Sequence, residues 1–299
     1  MTLATPFDQQ LFDTKFLERL PRYVWLLKKK NGEAIASASL HKQGGQGEFL
    51  GHHAYTPGDD IRHLDWQILA RNGQLFTKDF VMEGRFRLLL VIDGSASMGI
   101  GTPIKLTTAL RLAASIAYVG LQNGCAVRLL LSQGPLSHAS DLFHKPGSFW
   151  ALLRFLSWRT PAGQLAWVAF PKWVSGLPQE TQIIILTDLL HAQAADTALC
   201  QVAAWRHRLS LVHLWAKEEW APTLSGAAHL RDVETNAQCD VLLNAETTAA
   251  YRQRTRQVVQ HWADWCARHK ITYFPVLPNP TSGLESPVEH RILRALFGE

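Results

Sequence analysis

Asp93, Ser95 and Ser97 occupy alternate positions in "VIDGSASMG", where an apolar run ends. One carboxylate and two hydroxyls at that spacing, in a loop leaving a strand, can turn toward a common point. They then offer hard oxygen donors suited to Mg²⁺, which keeps several waters in its shell. Because only one of the three donors is charged, an ion held there stays short of negative ligands and can take a carboxylate from a partner. A second strand end, "ILTDLL", places Thr187 and Asp188 after another apolar run. Asp188 can join the ligand set, or hold a metal-bound water or a serine hydroxyl from outside it. The plainer reading makes Asp93 a cap for the segment that follows and Asp188 the N-cap of a helix near His191. The joint occurrence of two polar strand ends favours the metal-type site.

Other chemistries lack their signatures. A phosphotransferase of the dehalogenase kind needs a second aspartate where Ser95 stands, and a hydrolase elbow needs glycines on both sides of Ser97, where one neighbour is Ser95. The chain contains no P-loop, G-x-G-x-x-G or H-E-x-x-H. His52 and His53 read as surface or core residues.

The elements that must position these residues are short, continuous apolar runs. They are "RLLLVID" (87–93), "AVRLLLS" (126–132), "QIIILTD" (182–188), "LSLVHLW" (209–215) and "ITYFPVL" (271–277). Runs without alternation are how strands covered on both faces read. Helical patterns over Lys105 to Gln122 and Thr247 to His269 separate them. That order predicts an α/β fold, a doubly wound and mainly parallel sheet with helices on both faces. Residues 1–84 read as an N-terminal arm packed on the main domain, with a helix from Phe7 to Lys29 and a small β element. Residues 85–299 form the main domain, carrying a β-ribbon insertion at about 227–245.

Of the 299 residues, 47% are hydrophobic and 18% charged, an ordinary globular balance. The net charge of +5 is scattered, with Lys28-Lys29-Lys30 the one basic run. No aromatic-interleaved basic patch accompanies it, so nucleic acid is not the expected partner. Cys125, Cys200, Cys239 and Cys266 never form CxxC and suggest neither a zinc site nor a disulfide framework. The N-terminus lacks the pattern of a signal peptide, and no apolar run approaches the roughly 18 residues of a spanning helix. No membrane insertion and a cytoplasmic location are the expectations.

The D-x-S-x-S set with the later Asp188 resembles the metal-ion-dependent adhesion site of von Willebrand factor A domains. Upstream, "YTPGDDIRHLDWQILARNGQLFTKDFVMEG" resembles the signature of the bacterial family called domain of unknown function 58, which joins that signature to a von Willebrand factor A-like domain. The resemblance implies a six-stranded sheet and a MoxR-type AAA+ ATPase as partner, in metal insertion, complex assembly or chaperone-like work on a client protein. Carried over by position, Asp93, Ser95 and Ser97 match the metal ligands and Asp188 the strand-end aspartate, with Mg²⁺ or Mn²⁺ as the ion. The threonine that completes such a site falls in Ala162-Gly163-Gln164-Leu165, where Gly163 takes its place. Thr160 can substitute from a shifted loop, or water can fill the position. The site is therefore expected to bind metal weakly or not at all.

In "PGDDIRHLDW", Pro57-Gly58 favours a turn and Asp59 or Asp60 can cap a short helix. Arg62 and Asp65 lie at ion-pair spacing, and Trp66 offers an apolar anchor. The signature reads as a brace; alternatively Asp59, Asp60 and Arg62 face the ATPase or its client. The expected function is a non-enzymatic, adaptor-like protein-binding module. A metal-free scaffold using some of the eleven tryptophans is the first alternative. A metal-assisted hydrolase is the second, and it lacks an evident base beside Asp93.

Overall fold

Leu88 to Asp93 are buried without a break. The reason is alternation across a sheet: Leu88, Leu90 and Ile92 join one hydrophobic cluster, and Leu89 and Val91 join another. The computed structural model describes residues 11–30, 48–55, 64–81, 87–134, 136–157, 160–205, 207–223, 225–277 and 286–297. In chain order its elements are α1 (Thr14–Lys30), β1 (Glu48–Ala54), α2 (Trp66–Asn72), β2 (Phe76–Val81), β3 (Arg87–Asp93) and α3 (Lys105–Gln122). They continue with β4 (Ala126–Gln133), β5 (Leu136–Ala139), α4 (Phe149–Leu156), α5 (Phe170–Val174), β6 (Gln182–Thr187), α6 (Ala192–Ala203) and β7 (Arg208–Leu214). The last are α7 (Lys217–Trp220), β8 (Gly226–Arg231), β9 (Gln238–Leu243), α8 (Ala245–Arg268), β10 (Thr272–Val276) and α9 (Ser286–Phe297).

The central sheet has the order β10-β7-β6-β3-β4-β5, parallel throughout except for the antiparallel edge strand β5. This is the doubly wound, mainly parallel arrangement that the apolar runs predict. On one face α1, α3, α4 and α9 contribute Phe16, Leu110, Leu152 and Ile292 to the core. On the other, α5, α6 and α8 contribute Phe170, Leu199 and Trp262. Tyr23 of α1 donates to the buried Glu289 of α9, and Ser115 of α3 donates to the same carboxylate at 3.3 Å. β8 and β9 form the expected antiparallel ribbon.

The chain divides into two compact units, Met1–Gly32 with Phe86–Glu299, and Glu33–Arg85. The division differs from the expected break at residue 84, because α1 buries Leu20 and Tyr23 in the sheet's own core. Of the helix expected from Phe7 to Lys29, residues 7–10 lie outside the described residues; α1 runs from Thr14 to Lys30, and Asp13 accepts the Phe16 amide at 2.7 Å.

In the smaller unit β1 and β2 pair antiparallel. Asp65 is its organiser. Its Oδ1 accepts the Gln67 and Ile68 amides at the start of α2, while Oδ2 meets His52 at 2.7 Å and Lys78 at 3.3 Å. The His52 hydrogen bond, with those of Ile68, Gln67 and Lys78, holds the Asp65 carboxyl down at about 2 against the opposing effect of burial. Asp59, Asp60 and Arg62 lie outside the described residues. Asp65 caps α2. One expectation is corrected: Trp66, at the first position of α2, is 64% exposed rather than a buried anchor.

Leu90 is fully buried in the central strand, so Leu90→Ala leaves a cavity between two covered faces. The expected cost is about 2–5 kcal/mol, read as a lower midpoint in guanidinium denaturation.

Candidate functional site at the carboxyl edge of the sheet

The parallel register brings the polar strand ends together. Ile92 of β3 pairs with Leu186 of β6, so Asp93 and Thr187 end neighbouring strands side by side. From β3 the chain proceeds toward β4 and β5, and from β6 toward β7 and β10, so the order reverses between β3 and β6. Loops diverge at such a switch point and leave a crevice beyond the carboxyl ends of the strands.

Asp93, Ser95 and Ser97 are each 2% exposed. Asp93 Oδ1 accepts the Ser95 amide at 2.9 Å, and Ser95 Oγ and Ser97 Oγ lie 3.0 Å apart. Thr187 donates its hydroxyl to Asp93 Oδ2 at 2.6 Å and accepts the Leu189 amide at 3.1 Å, so one side chain links the two strand ends. Burial, and after it the charge of Asp188, pushes the Asp93 carboxyl up to about 6. A buried carboxylate with a second negative charge nearby favours any cation or proton that reaches it.

The loop with the missing threonine is where the sequence puts it. Ala162 donates to the Gly94 carbonyl at 2.8 Å, and Ala96 donates to the Gly163 carbonyl at 2.9 Å. Gly163 has φ +67°, and a Cβ there would lie 2.7 Å from the Gly134 Cα, so no threonine fits without moving backbone. Thr160 is exposed and gives its backbone carbonyl to Gln133. Among the described residues no hydrogen bond joins its hydroxyl to Asp93, Ser95 or Ser97.

Asp188 is brought to the same edge, but its Oδ2 accepts from Lys105 Nζ at 2.8 Å. It does not cap α6: its Oδ1 accepts the Leu190 amide at 3.3 Å, and His191 occupies the cap position. Lys105, the first residue of α3, also donates to Glu219 of α7 at 2.5 Å. Burial works against its charge, but Asp188 and Glu219 outweigh it and hold the ammonium above the usual lysine range. Lys105 and Glu219 were not legible as site residues, although a lysine opening a helix sits at the unfavourable end of the dipole and so signals a carboxylate nearby.

His213 of β7 completes the edge. Its Nε2 meets the Asp188 carbonyl at 3.0 Å and its Nδ1 the Tyr273 hydroxyl at 2.7 Å. A carbonyl only accepts, so Nε2 carries the proton and Tyr273 donates to Nδ1.

The donors suit a small hard cation in part. Asp93, Ser95 and Ser97 supply one charge and two hydroxyls, and waters can complete an octahedron. Gly163 adds no side chain, and Asp188 is engaged by an ammonium. Among the described residues no group of three or more His, Cys, Asp or Glu side chains is placed to hold a metal ion, so any ion here depends on the hydroxyls.

Two outcomes follow from this geometry. Gly163→Thr is expected to destabilise by about 1–3 kcal/mol through backbone strain, seen as a lower melting temperature with no gain in cation binding. His213 is kept neutral: burial pulls its pKa down to about 4. Its contribution to stability is therefore complete above the unfolded value near 6.5 and is lost as pH falls from there toward 4, about 3 kcal/mol in all. The raised Asp93 carboxyl gives the opposite slope over an overlapping range. The difference in denaturation free energy between wild type and His213→Gln at each pH isolates the imidazole.

Comparison with known proteins places the chain. It is similar to the uncharacterized protein Rv1480 of Mycobacterium tuberculosis and to Mb1516 of Mycobacterium bovis, each 32% identical over 82 residues. That stretch is 27% of this chain and spans about a quarter, 26%, of the length of those relatives. Among solved structures, it is similar to the conserved hypothetical protein BatB from Bacteroides thetaiotaomicron at 18% identity and a TM-score of 0.43, over 71% of this chain and 99% of that one. It is similar also to the SpRpn10 VWA domain at 9% identity and a TM-score of 0.37, over 68% and 96% respectively. Among the described residues no helix is long and apolar enough to cross a membrane. Residues 52–261 match the family described as "Protein of unknown function DUF58", and the chain belongs to that family.

Proposed function

We propose that this chain is a protein-binding module without catalytic activity, whose docking point is the carboxyl edge of the sheet. Asp93, Ser95 and Ser97 hold a divalent ion, Mg²⁺ or Mn²⁺, and an acidic side chain of a partner completes its shell. In keeping with the family resemblance, the partner is a MoxR-type AAA+ ATPase or a client that it remodels, and ATP hydrolysis belongs to the ATPase. The observation that carries this reading is the convergence of one buried carboxylate and two buried hydroxyls at the switch point. A set with a single charge leaves an ion electrophilic toward outside carboxylates, and a strand-end platform holds it rigidly. His213, the imidazole on this edge, has both nitrogens committed, which suits docking better than proton transfer.

A second reading has its own observation. Gly163 and the engagement of Asp188 by Lys105 support a scaffold that docks without metal.

Titration of the purified chain with Mn²⁺, followed by calorimetry and melting, separates the two. The expected result is saturable binding by the wild type, with stabilisation of about 2.7 kcal/mol at a hundredfold excess over Kd, and loss of both in Asp93→Ala. Capture of the ATPase that weakens with chelator and with Asp93→Ala would follow. Wild-type protein that takes up no Mn²⁺ yet captures the ATPase through chelator would establish the metal-free scaffold.

A further inference from the structure

We propose that Lys105 is a resident cation of the strand-edge site, which withholds Asp188 from a divalent ion and so sets a low metal affinity. The proposal rests on the reading of Asp93, Ser95 and Ser97 as the cation site.

Lys105 is 3% exposed and opens α3, where the helix dipole opposes a positive charge. A buried ammonium in that position needs carboxylates, and it has two. Asp188 lies at 2.8 Å and Glu219 at 2.5 Å, with the Asp188 side chain 6% exposed. Both acids are held in place from elsewhere. Glu219 Oε2 accepts the Ala216 amide at 2.9 Å, and Asp188 Oδ1 takes the Leu190 amide while His213 binds its carbonyl. The ammonium is therefore gripped between two elements, the loop after β6 and the short helix α7.

Asp93, Asp188 and Glu219 put three carboxylates at this edge against one ammonium. Lys105 satisfies two of them, and Asp93 is left to the hydroxyl of Thr187 and the amide of Ser95. With Asp188 engaged, an ion at Asp93, Ser95 and Ser97 has one charged ligand where it otherwise has two. Affinity for hard cations rises with the number of charged ligands, so the lysine sets how tightly the ion is held. It also sets how strongly the ion seeks a carboxylate from outside.

Mn²⁺ binding, measured by calorimetry and by the free-ion electron paramagnetic resonance signal, tests this in wild type, Lys105→Met, Asp188→Asn and the double variant. Lys105→Met is expected to bind Mn²⁺ at least about tenfold more tightly, because a nearby positive charge is removed and a charged ligand released. Asp188→Asn alone should change affinity less than about threefold, and added to Lys105→Met it should abolish the gain. Wild-type binding with no tightening in Lys105→Met, or a large loss in Asp188→Asn alone, overturns the role of Lys105 and leaves the cation site standing. No Mn²⁺ binding by wild type or by Lys105→Met overturns both, whereas binding by Lys105→Met alone supports the resident cation in its strongest form. Should Lys105→Met fail to fold, Lys105→Met with Glu219→Gln removes one charge of each sign. The same tightening is then required of that folded variant.

Discussion

A carboxylate at the end of the central strand is almost wholly buried, and the arrangement of the carboxyl edge answers to that constraint. Asp93 ends β3, which has β4 and β6 on either side in register. Side chains in that position are enclosed by loops from both neighbours, and a charge there must be met by donors. The Ser95 amide and the Thr187 hydroxyl meet it locally. Thr187 is fully buried and can do so only because it ends the adjacent strand. A one-residue slip of β6 would turn it to the other face.

The third loop shows how backbone packing limits the donor set. Gly163, at positive φ, approaches Gly134 so closely that its own loop has no room for a side chain at that position. That contact accompanies the backbone hydrogen bonds that seat Ala162 and Gly163 against Gly94 and Ala96. The same contact excludes the threonine that the family resemblance leads one to expect. The donors are thus drawn from strand ends alone, and the loop contributes shape.

The sheet was legible because its strands are covered on both faces and so read as continuous apolar runs. β3 and α3 were placed at their observed limits. β5 was missed because four residues at an edge carry no periodicity. The helix read up to Lys29 is there as α1, ending at Lys30, with its first turn fixed by the Asp13 cap rather than by apolar spacing. In the signature segment the capping expected of Asp59 or Asp60 falls outside the described residues, and the role of Asp65 in capping α2 was not read from spacing. That role depends on the pairing of β1 with β2, which brings His52 and Lys78 to the same carboxylate. Asp93, Ser95, Ser97 and Asp188 were singled out from types and spacing, and the fold brings them to one edge of the sheet. Lys105 and Glu219 were not, since they are 114 positions apart in sequence and meet only through the fold.

The ion pair of Lys105 with Asp188 needs an explanation other than stability. Burying two charges costs solvation that their attraction hardly returns, and well-packed apolar residues of the same size often do as well or better. What an apolar pair cannot supply is direction. The ammonium, fixed on the first turn of α3, holds one carboxylate from the loop after β6 and one from α7 at defined distances. The loop it holds then passes through Leu189 at φ +53°, a strained conformation for a leucine that must be over-determined by its surroundings. Thr187, Lys105 and His213 supply that determination from three elements. The polar network therefore specifies the conformation of the loops at the carboxyl edge, and the hydrophobic clusters beneath it supply most of the stability.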